Sequence, residues 1–111
     1  MKMLKYKSLT RTTLAELDDL PHSGIYIIAY MGRVLYVGKA SESIADRLKG
    51  HVIKRGRELL GTWLDNMRFD WHNIRLDCLE TPDYASNTWI QEAEAQLIRR
   101  FNPLFNIQNM V

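Results

Sequence analysis

The sequence predicts an α+β fold, a small antiparallel sheet of three strands flanked by helices, and three stretches carry that expectation. Residues 24–38, GIYIIAYMGRVLYVG, are rich in Ile, Val and Tyr with Gly32 near the middle, the pattern of a β-hairpin. In residues 71–80, Ile74, Leu76 and Cys78 alternate with Arg75 and Asp77, the period-two signature of a third strand. Trp89, Ala93, Leu97 and Phe101 then recur every four residues, which is helical spacing. Helices segregated around one small sheet define the α+β class.

In chain order, Thr13-Leu14-Ala15-Glu16 reads as a capping box opening a short helix that Pro21 ends. The hairpin follows. A three-residue loop, Tyr30-Met31-Gly32, pairs Ala29 with Arg33 and puts Tyr26 opposite Tyr36 on one face. A two-residue Met31-Gly32 loop pairs Tyr26 with Val37 and sends the tyrosines to opposite faces. The longer loop is expected, because Gly32 fits its bulge position and Met is a poor first residue for the tighter turn. Ser43 and Asp46 form another capping pair, starting a helix that runs past Arg47 and His51 until Gly56 ends or interrupts it. Residues 57–67 read as a further helix, weakened by Gly61. The strand of 71–80 and the helix of 83–101 follow. Pro103 ends that helix, and a short extended tail closes the chain.

The 111 residues amount to one domain, 1–111, long enough to bury a core without staples. Hydrophobic residues at 46% and charged residues at 25% exclude global disorder. A lone cysteine, Cys78, excludes an intrachain disulfide and a cysteine-rich zinc cluster. The longest apolar run is far shorter than a bilayer span, and the N-terminus has no secretory apolar region, so the expected location is cytoplasmic. The net charge of +2 is too small to argue a polyanion partner, but the charges are segregated. Residues 1–11 carry Lys2, Lys5, Lys7 and Arg11 without an acid, and residues 46–58 carry five bases against two acids. Residues 80–94 carry Glu80, Asp83, Glu92 and Glu94 without a base. Such segregation suits a polyanion site that also holds a cation. Solvated helix faces give the same pattern.

Three groups of residues could carry chemistry. Tyr26 and Tyr36 share a face in the expected hairpin, although packed core tyrosines with satisfied hydroxyls would look alike. Arg47 and His51 are four apart on one helix face, where an arginine fork can hold a phosphate or simply face solvent. On a helical wheel with Trp89 at 0° and steps of about 100°, Glu94 falls near roughly 140°, at the edge of the apolar stripe. Glu92 falls near roughly 300°, pointing away. A carboxylate at a packed margin needs a partner, which makes Glu94 a candidate metal ligand or ion-pair member.

Gly24-Ile25-Tyr26 followed by Tyr36-Val37-Gly38 resembles the paired signature of the GIY-YIG nuclease superfamily. Pro21 before the first tripeptide and Lys39 after the second fit that resemblance, as do Arg47, His51, Glu94 with Leu97-Ile98, Pro103 and Asn106. Together these cover residues 21–106. The spacing between the tripeptides is short for the family, and Tyr36 to Arg47 is one residue longer than in its repair branch. The resemblance implies a three-stranded antiparallel sheet flanked by helices and a metal-dependent endonuclease. It implies one Mg²⁺ (or Mn²⁺) held by Glu94, a phosphate-neutralising role for Arg47, and tyrosine-assisted attack of water. Tyr26 is then the base, Tyr36 positions water or phosphate, His51 or Lys39 assists, and Gly24, Gly38 and Asn106 support the geometry. Tyr is a base only where cationic neighbours favour phenolate.

The expected partner is DNA, with RNA as the other nucleic acid, contacted through Lys39, Arg47, Lys49, Lys54 and Arg55. Specificity would be low, directed by nucleic-acid structure, or supplied by a partner protein, and double-strand cleavage would need a homodimer or two sequential events. A nucleic-acid-binding or interaction domain of the same fold without catalysis is the competing expectation.

Overall fold

The computed structural model describes residues 4–53 and 59–106. Four strands, β1 (Ser8–Thr13), β2 (Gly24–Tyr30), β3 (Arg33–Ala40) and β4 (Arg75–Glu80), form one sheet in the order β1-β4-β2-β3. Every neighbouring pair is antiparallel. The helices are α1 (Ile44–Ile53), α2 (Leu59–Asn66) and α3 (Asn87–Phe101), with a short 3₁₀ segment, Arg68–Asn73, before β4.

The sheet divides the core into two layers. Tyr26, Ile28, Leu35, Tyr36, Leu76 and Cys78 face Ile44 and Leu48 of α1 and Leu60 and Leu64 of α2. Ile25, Ile27 and Val37 face Ile90 and Ala93 of α3 on the other side. Alternation along β2 therefore feeds both layers, which is why GIYII reads as a continuous apolar run rather than an amphipathic strand.

The α+β class is as the sequence predicts, but the sheet has four strands rather than three. SLTRTT was missed because it has no apolar alternation: Leu9 is half exposed, and the strand is held from the other side by the whole length of β4, from Ser8 opposite Glu80 to Thr13 opposite Arg75. The helix expected from Thr13 is absent. Thr13 ends β1 and accepts from the Glu16 amide in a turn, while the Leu14 amide bonds to Ile74 and its side chain enters the core. Tertiary pairing outcompetes a capping box whose downstream stretch is short.

The hairpin also departs from expectation. Tyr30 pairs with Arg33 across the two-residue turn Met31-Gly32, both residues at positive φ (51° and 79°). Leu35 is then an extra residue on β3, since Ala29 pairs with Val34 and Ile28 with Tyr36. The bulge puts Leu35 and Tyr36 into the same layer and returns Tyr36 to the face of Tyr26. The shared face predicted from a longer loop is thus reached by a tight turn plus a bulge.

The helix end expected at Gly56 and the helix start expected at residue 57 lie outside the described residues. Ser43 caps α1, its hydroxyl accepting from the Asp46 amide at 3.2 Å. Ser86 caps α3 by accepting from the Trp89 amide, so that helix begins at Asn87 rather than at 83. Phe101 is 39% exposed instead of extending the buried stripe. Residues 71–73 of the expected third strand lie in the 3₁₀ segment, and β4 begins only at Arg75.

Candidate active site

The β2–β3 hairpin presents two tyrosines to α1 on one face, and α3 approaches from the opposite layer. Tyr26 is wholly buried, and its hydroxyl lies 2.7 Å from His51 Nε2 on α1. Tyr36 stands beside both, its ring centroid 6.1 Å from that of Tyr26 and 5.1 Å from that of His51. The spacing of α1 presents Arg47 one turn before His51 on the same helix face. From the other layer α3 brings Glu94, whose Oε1 is 3.9 Å from the Lys39 ammonium on β3.

The glycines of the two tripeptides have a steric reason. A Cβ at Gly38 would lie 2.3 Å from Tyr26 Cζ and 2.4 Å from its hydroxyl, so the phenol crosses β3 only over a bare backbone. At Gly24 a Cβ would lie 2.2 Å from the Leu79 carbonyl oxygen of β4. Asn106 closes the free edge of β3. Its Oδ1 accepts from the Val37 amide and its Nδ2 donates to the Val37 carbonyl, both at 2.8 Å, while the Phe105 amide donates to the Leu35 carbonyl. The tail thereby fixes the strand on both sides of Tyr36.

Electrostatics couple the same residues. Burial pushes the Tyr26 hydroxyl far above the ordinary tyrosine range, reinforced by Tyr36 and Glu94. Arg47 opposes the shift, through its charge and through a hydrogen bond. Burial also raises the Glu94 carboxyl, with Lys39 and Arg47 pulling it down. Arg47 therefore acts on the phenol and on the carboxylate together.

Tyr26, Tyr36, Arg47, His51, Glu94, Lys39, Gly24, Gly38 and Asn106 thus belong to one region. Lys54 and Arg55 lie outside the described residues. Lys49 lines a separate apolar cavity with Leu48, Leu64, Arg68 and Trp71 rather than the Arg47 side. In the basic N-terminal segment, Lys7 contacts Asp83 and Glu80, and Arg11 faces the buried carboxylate of Asp77 at 3.6 Å. Two of the cations expected to meet a polyanion are therefore committed to acids of the sheet and its flanking loop.

A cavity of about 340 Å³ opens beside Arg47 and Lys39, and Ser41, Asn87 and Gln91 also line it. Sequence reasoning passed over these three. On the wheel that placed Glu94, Asn87 falls near roughly 160° and Gln91 near roughly 200°, so the signal was present.

Glu94 fits a hard divalent cation as an oxygen donor. Its side chain is 23% exposed, and its raised pKa reflects a charge short of solvation. Among the described residues no group of three or more His, Cys, Asp or Glu side chains comes together, so Glu94 would hold a metal as a single carboxylate completed by water and substrate oxygens. No described helix is long and apolar enough to cross a membrane. No family model matches the chain, and no curated protein matches it.

Proposed function

We propose that this chain is a metal-dependent endonuclease of the GIY-YIG type, hydrolysing phosphodiester bonds in DNA. The observation that carries the reading is the buried 2.7 Å contact between Tyr26 and His51, flanked by Arg47 and by Glu94. A tyrosine hydrogen-bonded to an imidazole nitrogen can pass a proton along that bond. The attacking water forms the new bond to phosphorus and gives its proton to the Tyr26 oxygen as the phenol proton passes to His51 Nε2; the phosphorus–O3′ bond breaks with its electron pair on O3′, which then takes a proton from solvent. No resident phenolate is needed, which suits a hydroxyl that burial has made a very weak acid. The ring must carry its proton on Nδ1 for Nε2 to accept.

Arg47 is exposed and interacts with the Tyr26 hydroxyl. A phosphate that draws the guanidinium outward both gains its fork of donors and uncovers the phenol for water. Arg47 then neutralises the charge that develops on the phosphoryl oxygens. Tyr36, slightly open to solvent, orients the water or a phosphate oxygen. Glu94 would hold Mg²⁺ or Mn²⁺, which supplies stabilisation of the leaving oxygen when bound. Lys39 and Arg47 favour the ionised form of Glu94 against the effect of its burial.

The complete burial of Tyr26 favours a second reading, a nucleic-acid-binding domain in which the tyrosine is a core residue. Incubation of supercoiled plasmid with Mg²⁺ or with EDTA separates the two. Metal-dependent nicking that Glu94→Gln abolishes supports the endonuclease. Retention of DNA without nicking under any divalent cation selects the binding domain.

A further inference from the structure

The strip of α3 that carries Glu94 continues toward the start of the helix. Asn87, Gln91 and Glu94 stand at spacings of four and three, so their side chains share one face. Two of them, with residues of β3 and α1, enclose the cavity of about 340 Å³. Its lining is graded. Lys39 and Arg47 make one part cationic, buried Ala40 and Ile90 make an apolar wall, and Ser41, Asn87 and Gln91 offer polar edges.

We propose that this cavity receives a single nucleotide of the substrate strand, the one adjoining the phosphate that Arg47 engages, and that Asn87 and Gln91 read the edge of its base. The proposal rests on the nucleic-acid reading above and deepens it. A guanidinium and an ammonium suit the phosphate. An apolar wall suits the face of a base. A primary amide carries both a donor and an acceptor, which is how asparagine and glutamine recognise a base edge. The volume lies at the small end of organic-ligand sites, enough for one nucleotide rather than a run of them.

One of two neighbouring cavities sets a limit. It shares Ser41, Asn87 and Ile90 with the first, but its far side is lined by Glu80 and Asp83. Lys7 touches both carboxylates and offsets one charge of the two. A further phosphate would meet net negative charge there, so the strand turns out to solvent after the bound nucleotide.

The test is nuclear magnetic resonance on the full chain with EDTA, titrating single-stranded tetranucleotides that differ at one base. The side-chain amides of Asn87 and Gln91 should shift together with the Arg47 guanidinium. Affinity should differ among the four bases, and Asn87→Ala with Gln91→Ala should flatten that preference by roughly tenfold. Shifts at Arg47 with both amides unmoved would overturn the proposal and leave the nucleic-acid reading standing. Silence at Arg47 as well would overturn both. An unaltered base preference in the double variant would also overturn it, since exposed amides can be removed without unfolding the protein.

Discussion

The Tyr26 hydroxyl meets His51 Nε2 inside the protein, so the same hydrogen bond serves packing and the proposed proton transfer. The two roles separate by substitution. His51→Ala leaves a buried hydroxyl short of a partner, which costs about 1–3 kcal/mol. His51→Gln keeps a hydrogen-bonding group but no basic nitrogen. Thermal melting should therefore show more of the stability retained in His51→Gln than in His51→Ala, while plasmid nicking is lost in both. Nicking by His51→Gln near the wild-type rate would remove His51 from the proton path.

Gly38→Ala should be destabilising, because the new methyl would sit 2.3 Å from the Tyr26 ring and the ring is buried. Overpacking of this kind typically costs about 1–3 kcal/mol. Gly50→Ala is the control. A Cβ there meets nothing within 4 Å, and the position is inside α1, where alanine is favoured by roughly 0.5–1 kcal/mol. Denaturant melts should move in opposite directions for the two variants.

Arg47→Ala should keep its fold, since the side chain is exposed. Single-turnover cleavage at saturating DNA should fall by about 10²–10³, the usual cost of one electrostatic contact to a transition state. A variant that cuts at the wild-type rate would show that the phosphate is held elsewhere.

Glu94→Gln should lose metal-dependent cleavage and gain stability, with a defined pH dependence. Burial keeps the folded-state pKa of Glu94 above its ordinary value of 4.5. Between the two values the folded protein binds more protons than the unfolded chain, so the contribution of Glu94 to stability declines as pH rises through the folded pKa. In EDTA the variant should melt above wild type near neutral pH, and the gap should close as pH falls below the ordinary value. Glu92→Gln, on the exposed side of α3, should leave both melting and cleavage as they are. A wild type that melts above Glu94→Gln at neutral pH would mean that Lys39 more than offsets the burial.

What was legible in the sequence follows from which forces are local. The cap at Ser43, the apolar period of β4 around Ile74, Leu76 and Cys78, and the opposite exposures of Glu92 and Glu94 are set by neighbours a few residues away. β1 was not legible, because Thr10 and Thr12 acquire strand geometry only from Cys78 and Leu76, more than sixty residues downstream. The bulge at Leu35 escaped for a similar reason. Its extra residue lets both Leu35 and Tyr36 bury in one layer, and the Leu35 carbonyl then receives Phe105 from the far end of the chain. The grouping of Asn87 and Gln91 with Arg47 depends on how α3 lies against β3, which no periodicity specifies.

The edge of β3 is closed by Asn106, and α3 supplies Glu94, so the last fifth of the described chain completes a centre whose tyrosines lie in the first third. During translation the hairpin is made long before its partners. A ribosome-bound chain that has released only the hairpin and α1 has Tyr26, Tyr36, Arg47 and His51 in hand but neither the carboxylate nor the clamp on Val37. Domains acquire their structure as units while the chain emerges from the N-terminal side, and contacts between distant segments form late. On the proposed reading, a nascent copy therefore could not cut, and cleavage would begin only after residue 106 has left the exit tunnel.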